Sequence, residues 1–277
     1  MDTLLPSQPS TYKQLVKTSL HLYRASFSRI ILLSFLLAIL VFIPRLLSAF
    51  IGDDVANLHP YSPNRIWMFV VNLIGITFFI GIVWRMNCVI RGIHEPLIED
   101  LTVGLKKVMY VFFASILQGI IVFAITMALF ELQRFLIYYH VLFSDHLIGV
   151  AFVACIFVGQ CILIVYVSTL FIFFIPLIAI ENRGVIRSLE RSILLVWNHW
   201  WRVFSVQLTP WICYTLLLFL IRCAFRISIH IDFVEHGPYG IETTIAHTMI
   251  FALFIPWVAA ILLTQLKDLE LRKKMTT

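Results

Sequence analysis

The sequence predicts an all-α membrane protein: six transmembrane helices arranged as three hairpins, each preceded by a cytoplasmic interfacial amphipathic helix. Three observations carry that prediction. Hydrophobic residues make up 61% of the 277 and charged residues 13%, with a mean hydropathy of +0.94, which is more apolar surface than a soluble domain can hide. The apolar residues come in runs long enough to cross about 30 Å of hydrocarbon at about 1.5 Å per residue. Basic residues stand at the ends of these runs and gather on one side.

In chain order, a polar lead gives way to an amphipathic stretch over about 12–28. Tyr12, Val16, Leu20, Tyr23 and Phe27 form one stripe there, and Lys13, Lys17, His21 and Arg24 another. The lead is too long for an ordinary secretory signal and no small-residue cleavage site follows, so no cleavage is expected. Span 1 covers about 30–51 and carries Pro44 and Arg45 near its far end, where the arginine can snorkel. After a polar loop from Asp53, span 2 covers about 66–84, with Arg85 and Arg91 marking its exit. A second surface helix over about 96–107 has Glu99 and Asp100 in its first turn and Lys106 and Lys107 in its last, the order the helix dipole favours.

Span 3 covers about 108–130 and is followed by an aromatic loop. Span 4, about 147–175, belongs to an apolar run too long for one untilted crossing, so a break is expected near Pro176. The third surface helix, about 185–202, is the most informative stretch. Ile186, Leu189, Ile193, Val196 and Trp200 recur at helical spacing, while Arg187, Arg191, Asn198 and Arg202 lie on another face. Trp197, Trp200 and Trp201 suit the headgroup region, where an apolar ring and a polar N–H are both accommodated. Spans 5 (about 203–221, with Pro210 inside) and 6 (about 245–266) complete the layout, and Lys267, Arg272, Lys273 and Lys274 form a basic tail.

Of the 21 Lys and Arg residues, only Arg45, Arg65, Arg134, Arg222 and Arg226 fall on the far side in this layout, so both termini are expected to be cytoplasmic. The whole chain, 1–277, reads as one integral membrane domain. The unit of surface helix plus two spans recurs from near Tyr12, Pro96 and Val185 as a weak internal repeat. Its best match sets Leu15-x-Lys17-Thr18-x-Leu20 against Leu189-x-Arg191-Ser192-x-Leu194.

The net charge of +6 flanks hydrophobic spans, which points to lipid headgroups and topology and away from nucleic acid. The cysteines, an odd number with no C-x-x-C, read as small buried apolar residues rather than a disulfide framework. Within the spans the polar residues are neutral. Gln118, Gln160, Gln207 and His247, with Asn72 and Ser34 among others, read first as helix-to-helix hydrogen-bonding groups and second as a polar path for a headgroup or small solute. Outside the spans, His230, Asp232, Glu235 and His236, with His59, His140, Asp145 and His146, are zinc-ligand types at a spacing that matches no metal motif. Glu181 and Glu190 are the conceivable catalytic carboxylates, but Glu190 lies beside Arg187 and Arg191 and reads as an ion-pair partner. No phosphate loop, nucleophile elbow or His-Glu-x-x-His is present, so no catalytic residue, metal or cofactor is expected.

The run Pro176-Leu-Ile-Ala-Ile-Glu181, Gly184, the Ser188-Leu-Glu-Arg-Ser192 centre and the Trp200-Trp-Arg202 end resemble the YciC-like bacterial inner-membrane proteins. They are also similar to the six-span membrane domain that accompanies some glycerophosphodiester phosphodiesterases. The resemblance implies an inner-membrane protein and brings no phosphodiesterase activity, which belongs to a separate soluble barrel. The expected role is therefore non-enzymatic. Arg187, Arg191, Trp197, Trp200, Trp201 and Arg202 would engage anionic lipid headgroups or partner membrane proteins in envelope organisation. A lipid or small-solute transporter is the alternative, and a membrane-lipid enzyme the third reading.

Overall fold

Between Tyr12 and Ile43 the sequence holds neither Gly nor Pro, and in the computed structural model one helix, α1 (Tyr12–Ile51), runs through it. The structure describes residues 4–51, 63–93, 95–138, 146–225 and 241–276. Seven further helices follow among them: α2 (Pro63–Arg91), α3 (Leu97–Tyr138), α4 (His146–Leu170), α5 (Phe174–Glu181), α6 (Val185–Val196), α7 (Trp200–Phe225) and α8 (Ile241–Thr276). A 3₁₀ turn, Trp197–His199, joins α6 to α7. The described residues contain no strand, and six helical stretches are long and apolar enough to cross a membrane. The chain is an all-helical, multi-pass membrane protein.

Two of the three expected surface helices are not separate elements. The stretches over about 12–28 and 96–107 are the first turns of α1 and α3, because no cap, glycine or proline stops the helix at residue 29 or 107. At 1.5 Å per residue, the 40 residues of α1 span about 60 Å, twice the hydrocarbon thickness, so part of the helix must stand outside it. Only α6 is a distinct amphipathic helix. It ends at Val196, and Trp200, Trp201 and Arg202 open α7.

The expected break near Pro176 falls earlier, at Phe171–Phe173. Proline has no N–H to give the carbonyl four residues back, and its ring crowds that carbonyl, which weakens the helix between Ile172 and Pro176, and here it breaks. Pro176 itself sits in the first turn of α5, where no donor is needed. Ser192 of α6 satisfies the groups the break exposes: its Oγ donates to the Leu170 carbonyl at 2.7 Å and accepts the Phe173 N–H at 3.2 Å. Pro256, inside α8, likewise withholds a donor from the Ala252 carbonyl, and Ser34 of α1 supplies one at 2.5 Å.

α1 runs antiparallel to α8, with Trp257 Nε1 donating to Ser19 Oγ at 3.2 Å. α1 also packs on α2, α2 on α3, α3 on α4 and α7 on α8. The main core lies where α1, α2, α3, α5 and α8 converge, through residues such as Leu33, Ile80, Val111, Ile178 and Ala260. A second core, through Phe173, Leu195, Val203 and Leu262, surrounds the break between α4 and α5.

Candidate functional site

One end of the bundle collects the ion pairs between helices found among the described residues. Asp268 of α8, fully buried, is its hub. Asp268 Oδ1 accepts the Ser10 N–H at 2.7 Å, and Oδ2 accepts Arg202 Nη2 at 3.1 Å and Arg272 Nε at 3.0 Å. Arg272 Nη2 donates to the Ser10 carbonyl at 2.7 Å, as does Arg202 Nη2. The segment before α1 is thereby tied to α7 and α8. A second chain of contacts joins α5, α6 and α8: Arg191 Nη2 donates to Glu270 Oε1 at 3.0 Å, and Arg191 Nε lies 3.5 Å from Glu181 Oε2. Lys107 of α3 donates to Asn182, which closes α5 in a left-handed conformation that asparagine tolerates. On α2 and α3, buried Arg85 pairs with fully buried Asp100 and also donates to the Glu95 carbonyl.

These contacts sort the six predicted lipid-facing residues. Arg202 is turned inward as the partner of Asp268, and Trp200 is half-buried with its ring edge-on to Tyr166 at 5.1 Å. Arg191 is partly exposed and held by two carboxylates. Arg187 is exposed and has no hydrogen bond or ion pair among the described residues. Trp197 and Trp201 are 57% and 63% exposed. With exposed Ile186 and Leu194 they give the outer side of α6 and the residues leading into α7 four open apolar groups, with the exposed carboxylate of Glu190 between Ile186 and Leu194.

The inward side of α6 is also not the stripe read from the sequence. Leu189 and Val196 are buried as expected, but Ser188, Ser192 and Leu195 are buried with them, while Ile186 is exposed. Ser192 faces the bundle to serve the α4–α5 break, and the Ser188 hydroxyl is satisfied locally by the Gly184 carbonyl one turn back, so it can be buried without another partner. α6 thus has apolar character on two sides, one covered by protein and one open. Glu190 makes no ion pair among the described residues; Arg191 takes Glu181 and Glu270 instead. Arg85, expected to mark the membrane exit of span 2, is buried in an ion pair.

The structure does not bring the proposed polar path together. Gln207 Nε2 donates to Gln265 Oε1 at 2.9 Å between α7 and α8, and Gln265 Nε2 donates to the Val203 carbonyl at 3.2 Å. Gln160 Nε2 donates to Gln133 Oε1 at 3.3 Å between α4 and α3. His247 is buried, with Nδ1 2.9 Å from the Tyr214 hydroxyl, rather than facing an interface. Gln118 is half-buried on α3. All five cysteines are free, but Cys155, Cys161 and Cys223 are exposed and only Cys88 is buried, so the expectation of burial holds for that one.

His59, His140, Asp145, His230, Asp232, Glu235, His236 and Arg226 lie outside the described residues. Among the described residues no group of three or more His, Cys, Asp or Glu is placed to hold a metal ion. The sequence reading missed Asp268, Gln265 and Glu270 as organising groups. The one signal it offered was the helical spacing from Gln265 through Asp268 to Arg272, which continues the last span into what reads as a tail. Compared with known proteins, the chain matches no family model, no curated protein and no solved structure.

Proposed function

We propose that the chain is a non-enzymatic protein of a bacterial inner membrane, with both termini cytoplasmic. Its cationic end engages anionic lipid headgroups and neighbouring membrane proteins and serves envelope organisation. The observation that carries this reading is α6 and the turn after it: α6 is docked through Ser188, Ser192 and Leu195, yet Ile186, Leu194, Trp197 and Trp201 are left open beside Arg187, which has no ion pair among the described residues. Water does not tolerate such open apolar groups well, whereas a headgroup layer takes the rings and alkyl groups inward and the guanidinium outward. Each cation near an anionic leaflet adds about 1 kcal/mol. The basic residues gathered at this end supply the charge asymmetry that sets orientation. The likeness to the YciC-like proteins over Pro176 to Arg202 points the same way.

The pairing of Gln207 with Gln265 and of Gln160 with Gln133 supports a packing role for the span amides over a transport path. The test is lipid selectivity in nanodiscs. Arg187→Gln combined with Trp197→Ser and Trp201→Ser should lower the enrichment of phosphatidylglycerol over phosphatidylcholine around the purified protein. Enrichment equal to that of the unaltered chain would contradict the proposal.

A further inference from the structure

We infer that the cleft between α6 and the last turns of α8 binds the phosphate of one anionic phospholipid headgroup. This rests on reading the cationic end as a lipid-facing surface, and gives that surface a discrete pocket. The cleft measures about 310 Å³ and is lined by Arg191 and Leu195 of α6 and by Glu270, Lys273 and Lys274 of α8. Arg191, Lys273 and Lys274 carry three positive charges against Glu270 in the lining and Glu181 on Arg191, so an entering anion still meets a net positive wall. The guanidinium of Arg191 is already oriented by Glu270 at 3.0 Å and Glu181 at 3.5 Å, so little ordering is left to be done on binding.

Size and surroundings favour a lipid. The volume lies at the lower end of ligand pockets, which run from about 300 to 1,000 Å³, and suits a phosphate with its glycerol but not a whole lipid. Acyl chains would lie outside, and Leu194 of α6 and Trp197 of the 3₁₀ turn are exposed close in sequence to the cleft residue Leu195. Leu195 gives the pocket one apolar wall. Lysines in the last turn of a helix also suit the helix dipole. That alternative requires no ligand and is separated by experiment.

Full-length protein in phosphatidylcholine nanodiscs doped with phosphatidylglycerol, examined by native mass spectrometry, should retain one phosphatidylglycerol. Lys273→Gln with Lys274→Gln should weaken that retention roughly tenfold or more. The charge-matched pair Lys13→Gln with Lys17→Gln, exposed on α1, should leave it unchanged. Equal losses in the two double variants would overturn the cleft, as would no loss in the first. Displacement of the lipid by excess inorganic phosphate would assign the site to free phosphate and overturn the lipid. If the unaltered chain shows no preference for phosphatidylglycerol at all, the broader lipid reading falls with it; if that preference survives in the Lys273 and Lys274 variant, the cleft alone falls.

Discussion

Helices α3 and α8 are about equally apolar over their spans, yet 78% of the span of α8 is buried inside the bundle and only 11% of that of α3. The difference lies in their polar residues. α8 buries Thr243, Thr244, His247, Thr248, Thr264, Gln265 and Asp268, whereas α3 buries Asp100 alone among its described polar side chains. In a bilayer an apolar side chain gains little by leaving lipid for another helix, since both are hydrocarbon. An amide or carboxylate gains a partner it has nowhere else, as Gln265 and Asp268 do, whereas Thr248 and Thr264 bond to carbonyls of α8 itself. Hydropathy therefore decides which segments enter the membrane, and polar groups decide which segment becomes the centre. α3 makes its close approach through one glycine: a Cβ on Gly104 would lie 2.5 Å from the Thr77 carbonyl oxygen of α2.

The contrast is broken most severely at Asp268. Asp268→Ala removes the shared acceptor of Ser10, Arg202 and Arg272, and should cost about 3 kcal/mol in thermal unfolding measured in detergent. The low end of the range for broken buried pairs applies because the two arginines keep 24% and 27% of their side-chain exposure. A smaller loss, about 1–2 kcal/mol in the same assay, is expected for Ser34→Ala, which leaves the Ala252 carbonyl without the donor that Pro256 cannot supply. The smallest effect belongs to α3. Phe123 is 66% exposed, and in a bilayer Phe123→Ala exchanges one lipid contact for another, within about 0.5 kcal/mol. A large loss there would mean that the open face of α3 is covered by protein.

The sequence shows the membrane class plainly, because long apolar runs flanked by cations have few other uses. It also shows a distinct helix between the fourth and fifth crossings, where Gly184 begins α6. What it conceals is partnership. Ser192 looks like a polar surface residue until the Leu170 carbonyl, 22 positions away, is placed beside it. Arg202 looks like a headgroup ligand until Asp268, 66 positions away, is found against it. Arg187 and Arg202 are equivalent in the amphipathic pattern, and only the fold separates Arg187, without an ion pair among the described residues, from Arg202, paired with Asp268. The continuity of α1 and α3 was legible in principle, since no breaker stands between the cationic turns and the spans.

The central claim, that the outer side of α6 rests in the headgroup layer, is tested most directly by a photo-cross-linkable phosphatidylglycerol with its reactive group near the phosphate. Peptide mass spectrometry after illumination should find adducts on the segment holding Ile186, Leu194, Trp197 and Trp201. Adducts confined to other helices, with this segment unlabelled, would contradict the account.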